Sequence, residues 1–340
     1  MNHDSRAETA LRQTLHEAIA RGVFPGAALC WRREGQTLAE INVGKLGASD
    51  SADVSKNTLY DLASLSKIYL LGAALRELRS RKIALETPVS RFFPQFDNSI
   101  QIADLMRHSS GLRRHLQTLH TAPTATWLDA LASAPLHSKT VFYNCSNSFV
   151  LGRVLVQIAG EKLDEIVART VFRPANLTAS FEVPNPREIL APTEISGENA
   201  TPVGEVHDEA ARAFRRETDD FAGNAGVFAS ARDVAKFGDL WRRETAFFAP
   251  EDWVAIARNA LPENQNLRGL GWQIGARFCV GNGPFSGEIW SHLGFTGPLL
   301  AVHPRSQTVL ALLCNRVFPT RNGPDRLPFF RRICEICFAP

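Results

Sequence analysis

No stretch of the chain approaches the roughly 18 consecutive apolar residues that a membrane-crossing helix requires, so no membrane span is expected. Charge of one sign is not in excess either: 38 basic residues face 35 acidic ones, a net of +3. That balance creates no one-sided field, and neither a nucleic-acid partner nor an anionic membrane surface is expected. Arg321, Arg326, Arg331 and Arg332 are interleaved with apolar residues and suit the wet face of a helix better than a nucleic-acid patch. The polar, mixed-charge start is followed by no apolar run, so it lacks the pattern of a secretory signal peptide. A cytoplasmic protein is expected, or a periplasmic one only if a leader has been removed.

Several catalytic signatures are missing. There is no H-E-x-x-H, and the nine histidines are scattered, so no metal and no cofactor are expected. A G-x-S-x-G elbow is absent, which argues against an α/β-hydrolase. Six cysteines are present in 340 residues, but a chain of this size does not need disulfide staples. Cys30, Cys279 and Cys314 sit in strand-like apolar runs, where a free thiol behaves as a small hydrophobe. Cys334 and Cys337 have no second Cys or His pair nearby to complete a zinc site, and suit one face of a helix.

What is present is ample core material, at 44% hydrophobic residues. Helical spacing marks residues 6–21. Strand-like runs cover Ala27–Arg33 and Thr37–Val43, joined by a turn at Glu34-Gly35-Gln36, and an apolar helix is predicted from Ser64 to Arg81. Residues 82–250 look helical, broken by many prolines. Strand-like runs return at Gly269–Gly275, Gly287–His292, Leu299–His303 and Thr308–Cys314, before a last helix over Asp325–Phe338. The predicted fold class is α/β (α+β): an antiparallel sheet flanked by helices and built from both ends of the chain (1–81 and 255–340), with a mostly helical lobe (82–254) inserted and the active site in the cleft between.

Ser64-Leu65-Ser66-Lys67 carries the chemistry. Positions i and i+3 share a helix face, so Lys67 can reach the Ser64 hydroxyl. A serine is a weak nucleophile without a base or a cation beside it. A lysine in an apolar pocket can lose its proton through desolvation and act as that base. A helix start also offers free N–H groups to an oxyanion. The spacing alone equally suits a capping serine and a solvent-facing lysine, but Ile68–Leu71 makes this helix strongly apolar.

Tyr60-Asp61-Leu62-Ala63-Ser64-Leu65-Ser66-Lys67 resembles the first motif of the serine β-lactamase and penicillin-binding protein superfamily, in the branch of class C β-lactamases, D,D-peptidases, D-aminopeptidases and related esterases. Further landmarks follow in order. Leu105–Leu112 is similar to L-x-x-H-x-S-G, and Phe142-Tyr143-Asn144-Cys145 to the second motif, usually Tyr-x-Asn. Gly223–Ser230 with Asp233 and Phe237 is similar to a further landmark. Ser291-His292-Leu293-Gly294-Phe295-Thr296-Gly297 resembles the third motif in its His-x-Gly form, and Asn315–Pro319 a closing strand end.

The resemblance implies a serine hydrolase with the β-lactamase/transpeptidase-like fold, working through an acyl-enzyme on Ser64. Tyr143 would share proton transfer with Lys67. His292 stands where many relatives have lysine, and would donate to a substrate carboxylate or relay a proton, with a charge that varies near neutral pH. The N–H groups of Ser64 and Phe295 would form the oxyanion hole, and Gly294 would let the strand approach the substrate. Cys145 replaces an asparagine that binds the acyl amide; a thiol does this poorly, and Asn144 is a candidate substitute for it. Val206-His207-Asp208 is placed in the cleft wall without a role. A small ester, amide or lactam is the expected substrate, with an ester the least demanding. A D,D-peptidase or D-aminopeptidase, a weak β-lactamase and an acyltransferase remain alternatives, and a non-catalytic binding protein on the same fold is the alternative of another class. The oligomeric state is not readable.

Overall fold

The computed structural model describes residues 3–183, 189–197, 200–242, 247–258, 261–263, 266–275 and 288–339. Helix α1 (His3–Ala20) leads into the hairpin β1 (Gly26–Arg33) and β2 (Gln36–Gly44). The short strand β3 (Tyr60–Asp61) precedes α2 (Ser66–Ser80). The helical middle holds α3 (Ile102–Met106), α4 (Trp127–Ala132), α5 (Cys145–Ala159), α6 (Leu163–Val167) and α7 (Glu209–Thr218). After β4 (Phe228–Ala229) come α8 (Ala231–Asp239) and α9 (Pro250–Arg258). The chain then runs through β5 (Leu261–Glu263), β6 (Asn266–Arg268), β7 (Gln273–Ile274), β8 (Trp290–Leu293), β9 (Leu299–His303) and β10 (Thr308–Cys314), and reaches α10 (Leu327–Cys337).

One eight-stranded sheet has the order β2-β1-β10-β9-β8-β7-β6-β5, antiparallel throughout, so strands from both ends of the sequence meet at β1–β10. β10 is buried along its whole length. Val309, Ala311 and Leu313 face a core shared with α8 and the helical middle, while Leu310, Leu312 and Cys314 face α1 and α10. Burial on both faces explains why this strand has no polar alternation, and each large apolar side chain contributes about 1.5–3 kcal/mol. Helix α8 lies close on the sheet because Gly238 has no side chain: a Cβ there would sit 2.5 Å from Val309 Cγ1.

Most predicted elements fall within two residues of their observed bounds. The run Gly269–Gly275 differs, being strand only at Gln273–Ile274. A turn closed by Gly269 N–H donating to the Trp272 carbonyl (2.9 Å), with Gly271 at φ +69°, interrupts it. Strand β8 extends to Leu293, and residue 287, like Cys279, lies outside the described residues. Cys30, Cys145, Cys314, Cys334 and Cys337 are all buried, and none is in a disulfide. Burial pushes the Cys30 thiol up to about 11 and that of Cys314 up to about 12, so neither forms a thiolate readily. Among the described residues no cluster of potential metal ligands occurs, and no helix is long and apolar enough to cross a membrane.

Candidate active site

Ser64 is not on the regular helix as predicted. It lies in a 3-10 turn, Ala63–Leu65, and α2 begins two residues later. The cause is Ala63, held at φ +45°, a left-handed conformation that a side chain makes costly. Buried Asp61 holds it there: Oδ1 accepts from Ala63 N–H (2.8 Å) and Oδ2 from His207 N–H (2.7 Å). The Asp61 carbonyl accepts from Thr296 Oγ1 (2.7 Å), tying the third motif to the turn. Ser66 Oγ accepts from Val227 N–H (3.1 Å), so the second serine of the motif is a bracket rather than a reacting group.

Lys67 is 4% exposed and donates to Ser64 Oγ (2.8 Å) and to the Asn224 carbonyl (3.0 Å). Its Nζ lies 5.2 Å from the centre of the Tyr143 ring. Burial disfavours the ammonium, but Cys145, Tyr143 and Asp208 favour it more, and the pKa of Lys67 is raised. Burial in the apolar helix therefore does not by itself set the Lys67 pKa, because its neighbours offset desolvation.

Tyr143 precedes α5 and is clasped by His108. The His108 carbonyl accepts from Phe142 N–H (2.8 Å), its Nδ1 accepts from Asn144 N–H (3.4 Å), and its ring lies 4.5 Å from that of Tyr143. Buried Arg268 places its guanidinium 5.1 Å from the centre of the same tyrosine ring. Burial first, then Arg268 and Lys67, hold both His108 and His292 well below the ordinary histidine pKa.

His292 departs from expectation. Its Nδ1 lies 3.0 Å from the Leu293 carbonyl, which can only accept, so Nδ1 carries the proton. The buried Nε2 has no hydrogen-bond partner. A neutral ring in this tautomer offers the cleft an acceptor, not the donor to a carboxylate that the third motif suggested, and it does not titrate near neutrality.

Asn144 is also corrected. It caps α5, its Oδ1 accepting from the backbone and side-chain amides of Asn147 (3.2 and 2.7 Å) and its Nδ2 donating to the Leu112 carbonyl (2.8 Å). Buried, with Oδ1 taken by Asn147 and Nδ2 turned to Leu112, it does not replace the asparagine missing at Cys145. Gly294 serves the turn before Ser64: a Cβ there would lie 2.4 Å from the Leu62 carbonyl.

Two cavities meet at Ser64 and Phe295. One, of about 300 Å³, is lined by Tyr143, Arg268, Gln273, His292, Gly294 and Arg326 among others. The other, of about 260 Å³, is lined by Ala63, Cys145, Gln117, His207, Asp208, Glu209 and Arg321. Phe295 is 45% exposed between them, stacked on His207 (ring centres 5.8 Å apart) and covered by Arg316 (4.5 Å). Burial opposes ionisation of Glu194, but Arg321 and His207 hold its carboxyl below the usual value. Asp208, unassigned from sequence, caps α7 and accepts from Asn224 Nδ2 (3.0 Å) and Gln117 Nε2 (2.8 Å). Sequence reading missed Arg268, which belongs to no motif, and the Asn224 carbonyl, which any residue could supply; it put Arg321 and Arg326 on the wet face of a helix, whereas both precede the helical residues of α10 and line the two cavities.

Comparison with known proteins identifies the family and the fold. Residues 11–332 match the Beta-lactamase family. A protein of Escherichia coli K12 named "Putative D-alanyl-D-alanine carboxypeptidase" is 26% identical over 328 residues, covering 80% of this chain and 72% of its own. The solved structure of EstCE1, described as a hydrolase with promiscuous acyltransferase activity, superposes with a TM-score of 0.79 at 19% identity, covering 98% of this chain and 99% of its own. The beta-lactamase/D-alanine carboxypeptidase of Pseudomonas syringae gives 0.77 at 16% identity, with 96% and 98% covered. The fold is theirs, and the chain belongs to the beta-lactamase family of serine hydrolases.

Proposed function

We propose that this protein hydrolyses small esters or amides through an acyl-enzyme on Ser64. The observation that carries the reading is the 2.8 Å contact between Ser64 Oγ and a buried Lys67, at the meeting point of two cavities. As Oγ bonds to the acyl carbon, its proton passes to the Lys67–Tyr143 pair. The carbonyl oxygen becomes an oxyanion and is received by the N–H groups of Ser64 and Phe295. Collapse of that intermediate breaks the bond to the leaving group, which takes the proton. Water then attacks the ester carbonyl, giving its proton to the same pair, which passes it to Ser64 Oγ as the acyl–Oγ bond breaks and the acid leaves.

Esters suit this site better than amides. An ester leaves readily, and Cys145 offers a substrate amide only a weak donor and acceptor. A second reading, D-alanyl carboxypeptidase activity, is favoured by the relative's name and by Arg268 and Arg326 in the larger cavity, where a substrate carboxylate would be received.

The test is turnover of p-nitrophenyl butyrate, nitrocefin and a D-alanyl-D-alanine peptide, with fluorophosphonate labelling, by wild type and Ser64→Ala. Labelling and turnover that vanish in the variant are expected, with the butyrate preferred. Equal behaviour of the two proteins refutes the assignment of Ser64.

A further inference from the structure

The carbonyl that receives Lys67 belongs to a stretch with little to hold it. Asn224 lies between Gly223 (φ +94°) and Gly226 (φ +129°), and among the described residues no backbone-to-backbone hydrogen bond engages Gly223–Gly226. Glycines on either side leave the chain free to turn. Yet the Asn224 carbonyl stands 3.0 Å from Lys67 Nζ, and this bond together with the 2.8 Å bond to Ser64 Oγ sets the direction of the amino group. The side chain of the same residue supplies the missing tether. Asn224 is fully buried, its Nδ2 donates to Asp208 Oδ1 (3.0 Å), and its Oδ1 has no hydrogen-bond partner, so the bond to Asp208 alone fixes the amide. Asp208 is fixed in turn. Its Oδ1 also accepts from Ala211 N–H (2.9 Å) in the first turn of α7, and its Oδ2 accepts from Gln117 Nε2 (2.8 Å).

Resting on the Ser64 reading, we propose that Asp208 is a positioning residue of Lys67: by holding the Asn224 side chain it fixes the carbonyl that aims Lys67 at Ser64. The role is geometric. It needs an acceptor of the right length at position 208, not a negative charge, and it is the same whichever of Lys67 and Tyr143 takes the proton. A displacement of about 1 Å at a reacting group can cost on the order of 100-fold in rate, so a slack carbonyl is felt in the chemical step rather than in substrate binding.

The experiment uses uncharged p-nitrophenyl butyrate, with active sites counted by fluorophosphonate labelling so that kcat refers to folded, reactive enzyme. Asp208→Ser keeps a good cap for α7 but is too short to reach Asn224, and is expected to lower kcat about tenfold with KM within about twofold. Asn224→Ala keeps the carbonyl, drops the tether and is expected to do the same. Asp208→Asn still offers Asn224 an acceptor, with the Gln117 amide turned over to accept from the new one, and is expected to retain most of kcat. In the Asn224→Ala background, Asp208→Ser is expected to add less than about twofold, because the group it acts through is gone. The proposal is overturned if Asp208→Ser or Asn224→Ala matches wild type, the former being the result of a capping role alone. It is overturned too if Asp208→Asn is impaired as badly as Asp208→Ser, which makes charge or a substrate contact the function, or if Asp208→Ser costs as much without the Asn224 side chain as with it. Wild type that neither labels nor turns over refutes the Ser64 reading instead, so the two failures are distinct.

Discussion

His292 donates its Nδ1 proton to the carbonyl of Leu293, the next residue along its own strand, across 3.0 Å. The ring is thereby fixed as a neutral acceptor, and burial holds its pKa well below the ordinary value, as it does for His108. In the unfolded chain both rings titrate near about 6.5, so below that pH the unfolded state binds more protons than the folded one. The stability due to the neutral rings is complete above about pH 6.5 and is lost as pH falls below it, by up to about 1.4 kcal/mol per unit for each ring. Urea unfolding at pH 7.5 and 5.5 measures this. His292→Gln is expected to lose less stability over that interval than wild type, and an equal loss contradicts a buried neutral ring.

His108 sets the segment that carries Tyr143 through two hydrogen bonds on either side of the tyrosine, while adopting φ +57°. Asparagine tolerates that backbone and keeps an acceptor, whereas alanine does neither. His108→Ala is expected to cut kcat at least about tenfold, and His108→Asn to restore much of it. Steady-state kinetics on active-site-titrated protein decides the matter; two equally impaired variants would rule out the clasp.

Asp61 accepts two backbone N–H groups with separate oxygens. In Asp61→Asn one oxygen becomes an amide that cannot accept, leaving a buried N–H unpaired at a cost of about 1–3 kcal/mol. Because one of those N–H groups belongs to strained Ala63, reactivity toward fluorophosphonate is expected to fall along with stability. Thermal unfolding and labelling rate, measured side by side, show whether the two losses travel together.

Cys145 lines the smaller cavity, where its thiol is a poor partner for an amide. Cys145→Asn adds a good donor and acceptor without disturbing the Asn144 cap one residue earlier. The ratio of kcat/KM for an amide or nitrocefin to that for p-nitrophenyl butyrate is expected to rise about tenfold, as one recovered hydrogen bond allows. An unchanged ratio would remove Cys145 from the acyl-binding wall.

The parts of the molecule legible in the sequence are those set by local pattern. Apolar runs mark β1, β9 and β10, and the S-x-x-K spacing places Lys67 beside Ser64. The start of α2 was misplaced because nothing in the letters marks Ala63 as left-handed; that conformation depends on Asp61 and the distant His207 N–H. The protonation of Lys67 is not readable from the sequence, because burial is visible in an apolar helix whereas the neighbours that reverse its effect arrive from elsewhere in the chain. Arg268 was illegible for a similar reason. An arginine on a three-residue strand has no periodicity to announce it, and only the fold brings it to Tyr143.

The β1–β10 pairing sets a timetable for the protein's birth. Leu29 pairs with Leu312, so the central ladder of the sheet cannot form until all the residues between them have left the ribosome. At about 5–20 residues per second, β1 waits on the order of tens of seconds beside a hairpin partner but with its other edge bare. Through that interval its apolar faces and open hydrogen-bonding edge are available to any neighbouring strand. The pairing that unites these distant strands therefore makes the nascent protein dependent on chaperones or on dilution, and truncation before β10 is expected to yield aggregated rather than partly active enzyme.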